Sequence, residues 1–201
     1  ERIRRLDLTF RCACSRKDIA RAGRPGPEGP VYPGTCRSGV PAGRRPRSIR
    51  VRSESPPIAI CDRVQGRLEQ DLPREVGDFV VRRADGIHAY QLAVVVDDAY
   101  QGINQVVRGA DLLSSTPRQI LLQRYLGLPT PAYAHLPLAL DETGRKMSKS
   151  CAAGQTAFAE PPANPEEFWE QAFAAWRAHR VPPRTRSRPS SPAPPDRLVD
   201  G

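Results

Sequence analysis

The sequence predicts an α/β fold built on a parallel sheet, with a cysteine-bearing module ahead of it and a Pro-rich tail behind. Three observations carry that reading. INQVVRG (103–109), the helical pattern TPRQILLQRYLG (116–127) and HLPLAL (135–140) follow one another as strand, helix and strand. That is the βαβ order of a parallel sheet. Three of the five cysteines fall within residues 1–40, among many glycines and prolines. The stretch VPPRTRSRPSSPAPP (181–195) has no periodicity.

The bulk numbers set limits on function. A chain of 201 residues has room for one domain, or one domain with an insert. Its hydrophobic fraction is 39% and it carries 22 prolines, so a core forms in part of it only. A net charge of +9 favours polyanionic partners such as RNA, DNA or nucleotide phosphates. The longest clean apolar run, Leu92–Val96, falls far short of the ~20 residues a membrane span needs. Glu1–Arg5 leads into mixed charged sequence without a signal-peptide pattern. With an odd five cysteines, and Cys12 and Cys14 too close in sequence to pair comfortably, a reducing cytoplasm is expected, with thiols used as ligands or simply packed.

Each element then has a local reason. Residues 1–40 are loop-rich (GRPGPEGPVYPGTC) and need a staple. In the basic stretch 41–76, SIRVR (48–52) and PIAIC (57–61) alternate like short edge strands. DFVVRR, an ADG turn and IHAYQLAVVVDD predict a strand, a tight turn and a buried apolar segment. INQVVRG is a strand that Arg108 nearly ends. Thr116 caps the following helix, Pro117 takes its first position, and Ile120, Leu121 and Tyr125 recur on one face. Gly127 with Pro129 stops it. HLPLAL is a short buried strand. Residues 161–181 open with Asn164, Pro165, Glu166 and Glu167 and carry an apolar stripe of Phe168, Trp169, Ala172, Phe173 and Trp176, an amphipathic helix. Residues 182–201 are expected to be a disordered tail.

Chemistry concentrates at three places. The loop DETGRKMSKS (141–150) holds two of the only three lysines among 31 Lys and Arg residues. A lysine is a compact charge on a flexible stem that can follow a phosphate. Lys146 and Lys149, flanking Met147 and Ser148 beyond a parallel strand, could neutralise a triphosphate, although a bare K-x-x-K is usually a solvated turn. Arg108 at its strand end could clamp a carboxylate, and Tyr90 has a hydroxyl to spare; taken alone each has an ordinary structural explanation. Cys12, Cys14 and Cys36 supply three thiolates, whereas tetrahedral zinc wants four ligands. His88 is the first histidine, so the fourth ligand is Tyr32, an acid such as Asp18 or Glu28, or water. Cys61 and Cys151 read as ordinary thiols.

Lys146-Met147-Ser148-Lys149-Ser150 is similar, residue for residue, to the KMSKS signature of class I aminoacyl-tRNA synthetases. The text from Tyr90 to Leu140 resembles the glutamate-specific branch, and GADLLSSTPRQ and LGLPTP resemble the glutamyl-Q tRNA(Asp) synthetase subgroup. The resemblance runs from about Leu6 to about Ser150. It implies a Rossmann-like parallel sheet, of which 41–160 is the C-terminal half including the KMSKS loop, and a zinc-binding insertion at 1–40. It implies that glutamate and ATP, with Mg2+, form glutamyl-adenylate and pyrophosphate. The glutamyl group then passes to the queuosine base of tRNA(Asp). Lys149 contacts ATP, Lys146 supports the loop's charge, and Tyr90 and Arg108 bind glutamate. The family pattern C-x-C…Y-x-x-x-C maps onto Cys12, Cys14, Tyr32 and Cys36 around a structural zinc. A cytoplasmic monomer that engages no membrane is expected.

The chain departs from the family in lacking its first strand and in a weak resemblance beyond Cys151. His88, His135 and His179 sit in no HIGH-type motif. The expectation is therefore an N-terminally truncated chain, inactive alone. Two alternatives stand beside it: a fragment of an ordinary glutamyl-tRNA synthetase, and a non-catalytic zinc-bearing RNA-binding module.

Overall fold

A computed structural model of the chain describes residues 2–138 and Lys146. The helix expected at 161–181, the tail at 182–201, the end of HLPLAL and residues 147–151 lie outside the described residues.

A short helix α1 (Arg2–Arg5) leads into β1 (Thr9–Cys12), which delivers the first thiol. Helix α2 (Arg16–Ala22) follows, started by a capping box. Ser15 Oγ accepts from the Asp18 N–H, and the Asp18 carboxylate accepts from the Ser15 N–H. Arg44, beside that carboxylate, and the Ser15 contacts hold Asp18 down at about 2.

Strand β2 (Ser48–Val51) pairs antiparallel with β1 on one side and with β5 (Phe79–Arg82) on the other. SIRVR is thus a central strand and not the expected edge. Its arginines suggest a solvent-facing edge, yet Arg50 is 7% exposed. It is tolerated inside because its Nη1 donates to the Asp78 carbonyl at 2.7 Å, Nε reaches Cys12 Sγ at 3.3 Å, and the guanidinium lies over the Tyr32 ring.

Strands β3 (Ile58–Asp62) and β4 (Gly66–Gln70) form a hairpin of their own. Alternation buries Ile58, Ile60 and Asp62 on one face of β3. Its three-residue loop closes because Asp62 Oδ1 accepts from the N–H groups of Val64 and Gln65, with Gly66 at φ 78° completing the turn. The sequence reading missed β4, whose GRLEQ carries a single apolar residue.

After the single turn α3 (Leu72–Glu75) and β5 comes α4 (Tyr90–Tyr100). The segment expected to be buried is a helix with only Val95 fully covered. Apolar residues wrap round it, and those away from β5 and from the later helix Thr116–Leu126 are left uncovered, Val96 and Tyr100 among them.

The βαβ unit forms as read. Strand β6 (Gln105–Gly109), a 3-10 turn at 110–115, α5 (Thr116–Leu126) and β7 (Ala132–Leu136) make a crossover between two parallel strands. Gly127 ends α5 at φ 64°. Two details differ. The 3-10 turn runs straight into α5, so Thr116 is its first helical residue and not its cap, and no side chain caps it. The strand begins three residues before His135 and stops before Pro137, which has no N–H to pair. Among the described residues this is the one parallel pair; the other ladders are antiparallel, so a single parallel sheet is not what they form.

α5 lies at the centre, buried through Thr116, Pro117 and most of its next six residues. Its Ile120, Leu121 and Leu122 pack with Val51, Ile58, Ile60, Leu72, Phe79, Val81, Val95 and Tyr133. A second, smaller core holds Cys12, Ala13, Cys14, Tyr32 and Cys36. The cysteine module is joined to the rest by the β1–β2 ladder and by Arg37, which grips the buried Asp78 carboxylate through two nitrogens at 2.5 and 2.6 Å.

Candidate functional site

The crossover brings Arg108 and His135 opposite one another, one residue from the carboxyl ends of β6 and β7. Arg108 Nε donates to His135 Nε2 at 3.0 Å. Arg108 Nη2 donates to Thr116 Oγ1 at 2.9 Å and to Gln119 Oε1 at 2.7 Å. The Gln119 amide is itself oriented, since its Nε2 donates to Gln91 Oε1, and Gln91 in turn donates to Ser115 Oγ. Nη1 makes no hydrogen bond among the described residues. Nε and Nη2 are therefore taken by protein acceptors. The Tyr133 ring lies 5.6 Å from the guanidinium. Asp98 of α4 is close enough to feel the charge: burial raises its carboxyl, and Arg108 pulls the other way.

Behind Arg108, His135 Nδ1 and Asp62 Oδ2 are 2.6 Å apart, both side chains fully buried. Asp62 Oδ1 also accepts from the His135 N–H. Burial alone would raise the Asp62 carboxyl; its hydrogen bonds from Gln65, His135 and Val64 leave it below its ordinary value.

Tyr90 opens α4 and is 51% exposed, with no hydrogen bond or ring contact to Arg108. Lys146 donates to Asp111 Oδ2 at 2.5 Å, in the turn that follows β6. That contact, chiefly, lowers the Asp111 carboxyl below its usual range. Lys146 and Arg108 are thereby brought to the same end of the parallel pair, where α/β sheets bind ligands. Lys149, Met147, Ser148 and Ser150 lie outside the described residues.

The three thiols of Cys12, Cys14 and Cys36 converge, their sulfurs within 4.8 Å of one another. Cys14 Sγ and Cys36 Sγ are 3.7 Å apart, and Cys12 Sγ is 3.5 Å from Tyr32 Oη. A tetrahedral centre with Zn–S near ~2.3 Å and Zn–O near ~2.0 Å separates sulfurs by about 3.8 Å and sulfur from oxygen by about 3.5 Å. The donor set fits such an ion. Asp18 and Glu28, the other candidates for a fourth ligand, are taken by Arg44 and Arg118. Burial pushes the Cys12 thiol up, but the Tyr32 hydroxyl, the Cys14 N–H and Arg50 outweigh it and bring it to about 7. Burial and the neighbouring Cys36 and Cys12 raise Cys14 to about 11, and burial with Cys12 drives Tyr32 upward. Cys61 is exposed on β3, apart from this cluster.

Sequence reasoning missed Asp62, Thr116, Gln119, His135 and Arg50. One signal was available for two of them. Thr116, Gln119 and Gln123 recur at helical spacing along α5, a polar stripe on a helix buried on nearly every side. Buried polar groups need partners, and such a stripe marks where they lie.

Comparison with known proteins agrees with the sequence resemblance. Residues 36–156 match the family described as tRNA synthetases class I (E and Q), catalytic domain. The chain is 57% identical over 155 residues to the glutamyl-Q tRNA(Asp) synthetase of Dechloromonas aromatica (strain RCB), covering 76% of this chain and 52% of that one. It is 44% identical over 200 residues to the like-named protein of Chromobacterium violaceum, covering 90% and 67%. A solved glutamate tRNA ligase from Elizabethkingia meningosepticum CCUG26117 superposes with a TM-score of 0.48 at 29% identity, over 57% of this chain and 22% of that one. The chain spans about half the length of the first curated relatives it matches.

Proposed function

The chain belongs to the class I tRNA synthetase (E and Q) catalytic-domain family, and on that premise we propose that it takes part in activating glutamate with ATP. The observation that carries this reading is the placement of Arg108, near the end of β6, and of Lys146, paired with Asp111 just beyond it, at the carboxyl end of the parallel pair. One is suited to a carboxylate and the other to a phosphate.

In this reading a glutamate carboxylate oxygen attacks the α-phosphorus of ATP, and pyrophosphate leaves with its electron pair. ATP brings its Mg2+ as part of the substrate. Lys149 follows the charge that builds on the phosphates, and Lys146 joins it by leaving Asp111. Arg108 offers Nη1 to the glutamate carboxylate that does not react, and Tyr90 borders the same ligand. Positioning and charge, with no covalent intermediate on the enzyme, supply the rate.

Cys12, Cys14 and Cys36, with the Tyr32 hydroxyl, hold zinc, which staples the end of β1 to the loop around residue 36. The glutamyl group passes to a tRNA, in this reading to the queuosine base of tRNA(Asp); the relatives named glutamyl-Q tRNA(Asp) synthetase support tRNA(Asp). Two adjoining clefts beside the thiol module, about 290 and 600 Å³, are lined by Arg11, Arg16, Arg47, Arg82 and Arg83, a surface suited to a phosphate backbone.

The test is glutamate-dependent ATP–pyrophosphate exchange by the protein of the full reading frame, followed by transfer of labelled glutamate to tRNA(Asp) with and without queuosine. Exchange that is lost in Lys149→Ala, and label that requires queuosine, are the expected results. No exchange overturns the activity; label on the 3′ end of tRNA(Glu) replaces the acceptor.

A further inference from the structure

The Asp62–His135 pair is more elaborate than a hairpin needs. Asp62 Oδ1 by itself accepts from Val64, Gln65 and the His135 N–H, which closes the β3–β4 loop and ties it to β7. Oδ2 is not used for that. It is spent on the imidazole Nδ1 at 2.6 Å, with both side chains fully buried. The far nitrogen of the ring then meets Arg108.

Donor chemistry determines the tautomer. A guanidinium only donates, so the Arg108 Nε–H at 3.0 Å obliges His135 Nε2 to accept. The imidazole proton is then on Nδ1, donated to Asp62. A surface strand-end arginine would gain nothing from this arrangement. Here three acceptors fix the guanidinium: His135 Nε2 at one nitrogen, Thr116 Oγ1 and Gln119 Oε1 at another. Among the described residues, Nη1 alone makes no hydrogen bond and is left for a ligand.

We propose that Asp62 and His135 are positioning residues for substrate binding: Asp62 holds His135 as the Nδ1–H tautomer, and the unprotonated Nε2, which accepts from Arg108 Nε and lies 3.2 Å from Thr116 Oγ1, aims Arg108 Nη1 at the glutamate carboxylate. This rests on the reading of Arg108 as the glutamate-binding arginine.

Asp62→Asn tests it with little change of shape. Three N–H groups face Oδ1, so the asparagine turns its carbonyl oxygen to them and its NH2 to His135. The hairpin keeps its cap. The ring must now accept at Nδ1 and carry its proton on Nε2, donor against donor with Arg108. His135→Asn keeps a donor for Asp62 and removes the acceptor for Arg108. His135→Gln restores an acceptor oxygen near the Nε2 position.

The experiment uses the protein of the full reading frame. Ring 15N spectra give the tautomer, exchange kinetics give kcat and the KM values for glutamate and ATP, and thermal melting gives stability. The wild type should show the Nδ1–H form and Asp62→Asn the Nε2–H form. The glutamate KM should rise about tenfold or more in Asp62→Asn and His135→Asn, as expected for one lost hydrogen bond to a charged group, with the ATP KM unchanged. His135→Gln should recover most of the loss. An Nε2–H wild type overturns the proposal. So does a uniform loss of melting temperature, kcat and both KM values, which is what a purely structural role produces. Arg108→Ala separates the premise from the inference. If it raises the glutamate KM while Asp62→Asn and His135→Asn do not, the positioning role alone fails. If it too leaves the KM unchanged, the glutamate reading of Arg108 fails first and takes the positioning role with it.

Discussion

Arg108 and His135 are Cα partners in the parallel register of β6 and β7, and their side chains meet as donor and acceptor at 3.0 Å. In a parallel pair, register is set by the crossover that joins the strands. Here the 3-10 turn and α5 not only span that distance but also supply Thr116 and Gln119 to the same guanidinium.

Replacing Arg108 by lysine should therefore be damaging although the charge is kept. One ammonium cannot reach His135, Thr116 and Gln119 while also presenting a free N–H outward. The glutamate KM should rise by roughly 30-fold or more, the loss typical of a desolvated charged contact (~2–5 kcal/mol), with the ATP KM little changed. Steady-state exchange kinetics on Arg108→Lys and Arg108→Ala check this.

The thiol cluster should carry about one equivalent of zinc per chain in reduced, freshly purified protein, read by elemental analysis. Cys36→Ser should abolish it. Tyr32→Phe removes the oxygen ligand and the acceptor of the Cys36 N–H, and should weaken binding without abolishing it. Arg50, 3.3 Å from Cys12 Sγ, supports a thiolate from outside the ligand set. Arg50→Met should lower metal affinity about 10- to 100-fold in competition with a chelator.

Asp78 should be among the most sensitive positions for folding. Its carboxylate is 2% exposed and accepts from two Arg37 nitrogens and from the Ser53 N–H and hydroxyl. Asp78→Ala leaves the buried Ser53 donors unpaired, while Arg37, a third exposed, keeps Glu54. The substitution should cost about 1–3 kcal/mol in urea unfolding. Asp78→Asn, which retains one acceptor oxygen, should cost less.

Acid stability should depend on Asp62. Burial opposes its charge, but its hydrogen bonds win and its folded value lies below the ordinary one. A depressed carboxyl adds stability that is complete above the unfolded value near ~3.9 and is lost as pH falls through the folded value. Asp62→Asn should therefore show a shallower loss of stability than wild type across that acid window, followed by circular dichroism.

What the sequence determined by itself is local or carried by a signature. The strand 105–109, the helix that Gly127 stops, the cysteine spacing and the KMSKS run were all readable because periodicity, backbone preference and ligand chemistry act over a few residues. Family membership followed from the same text. What only the tertiary structure decided involves residues far apart in the chain. Asp62 and His135 are separated by 73 positions, and nothing near either one announces a partner. SIRVR looked like an edge because arginine usually seeks water; Arg50 is buried because Cys12, Tyr32 and Asp78 happen to converge on it. Arg108 was legible as a candidate, but not that its Nε and Nη2 are already taken. A buried polar group is stable only where the fold brings it a partner, so its role becomes visible only once distant segments have met.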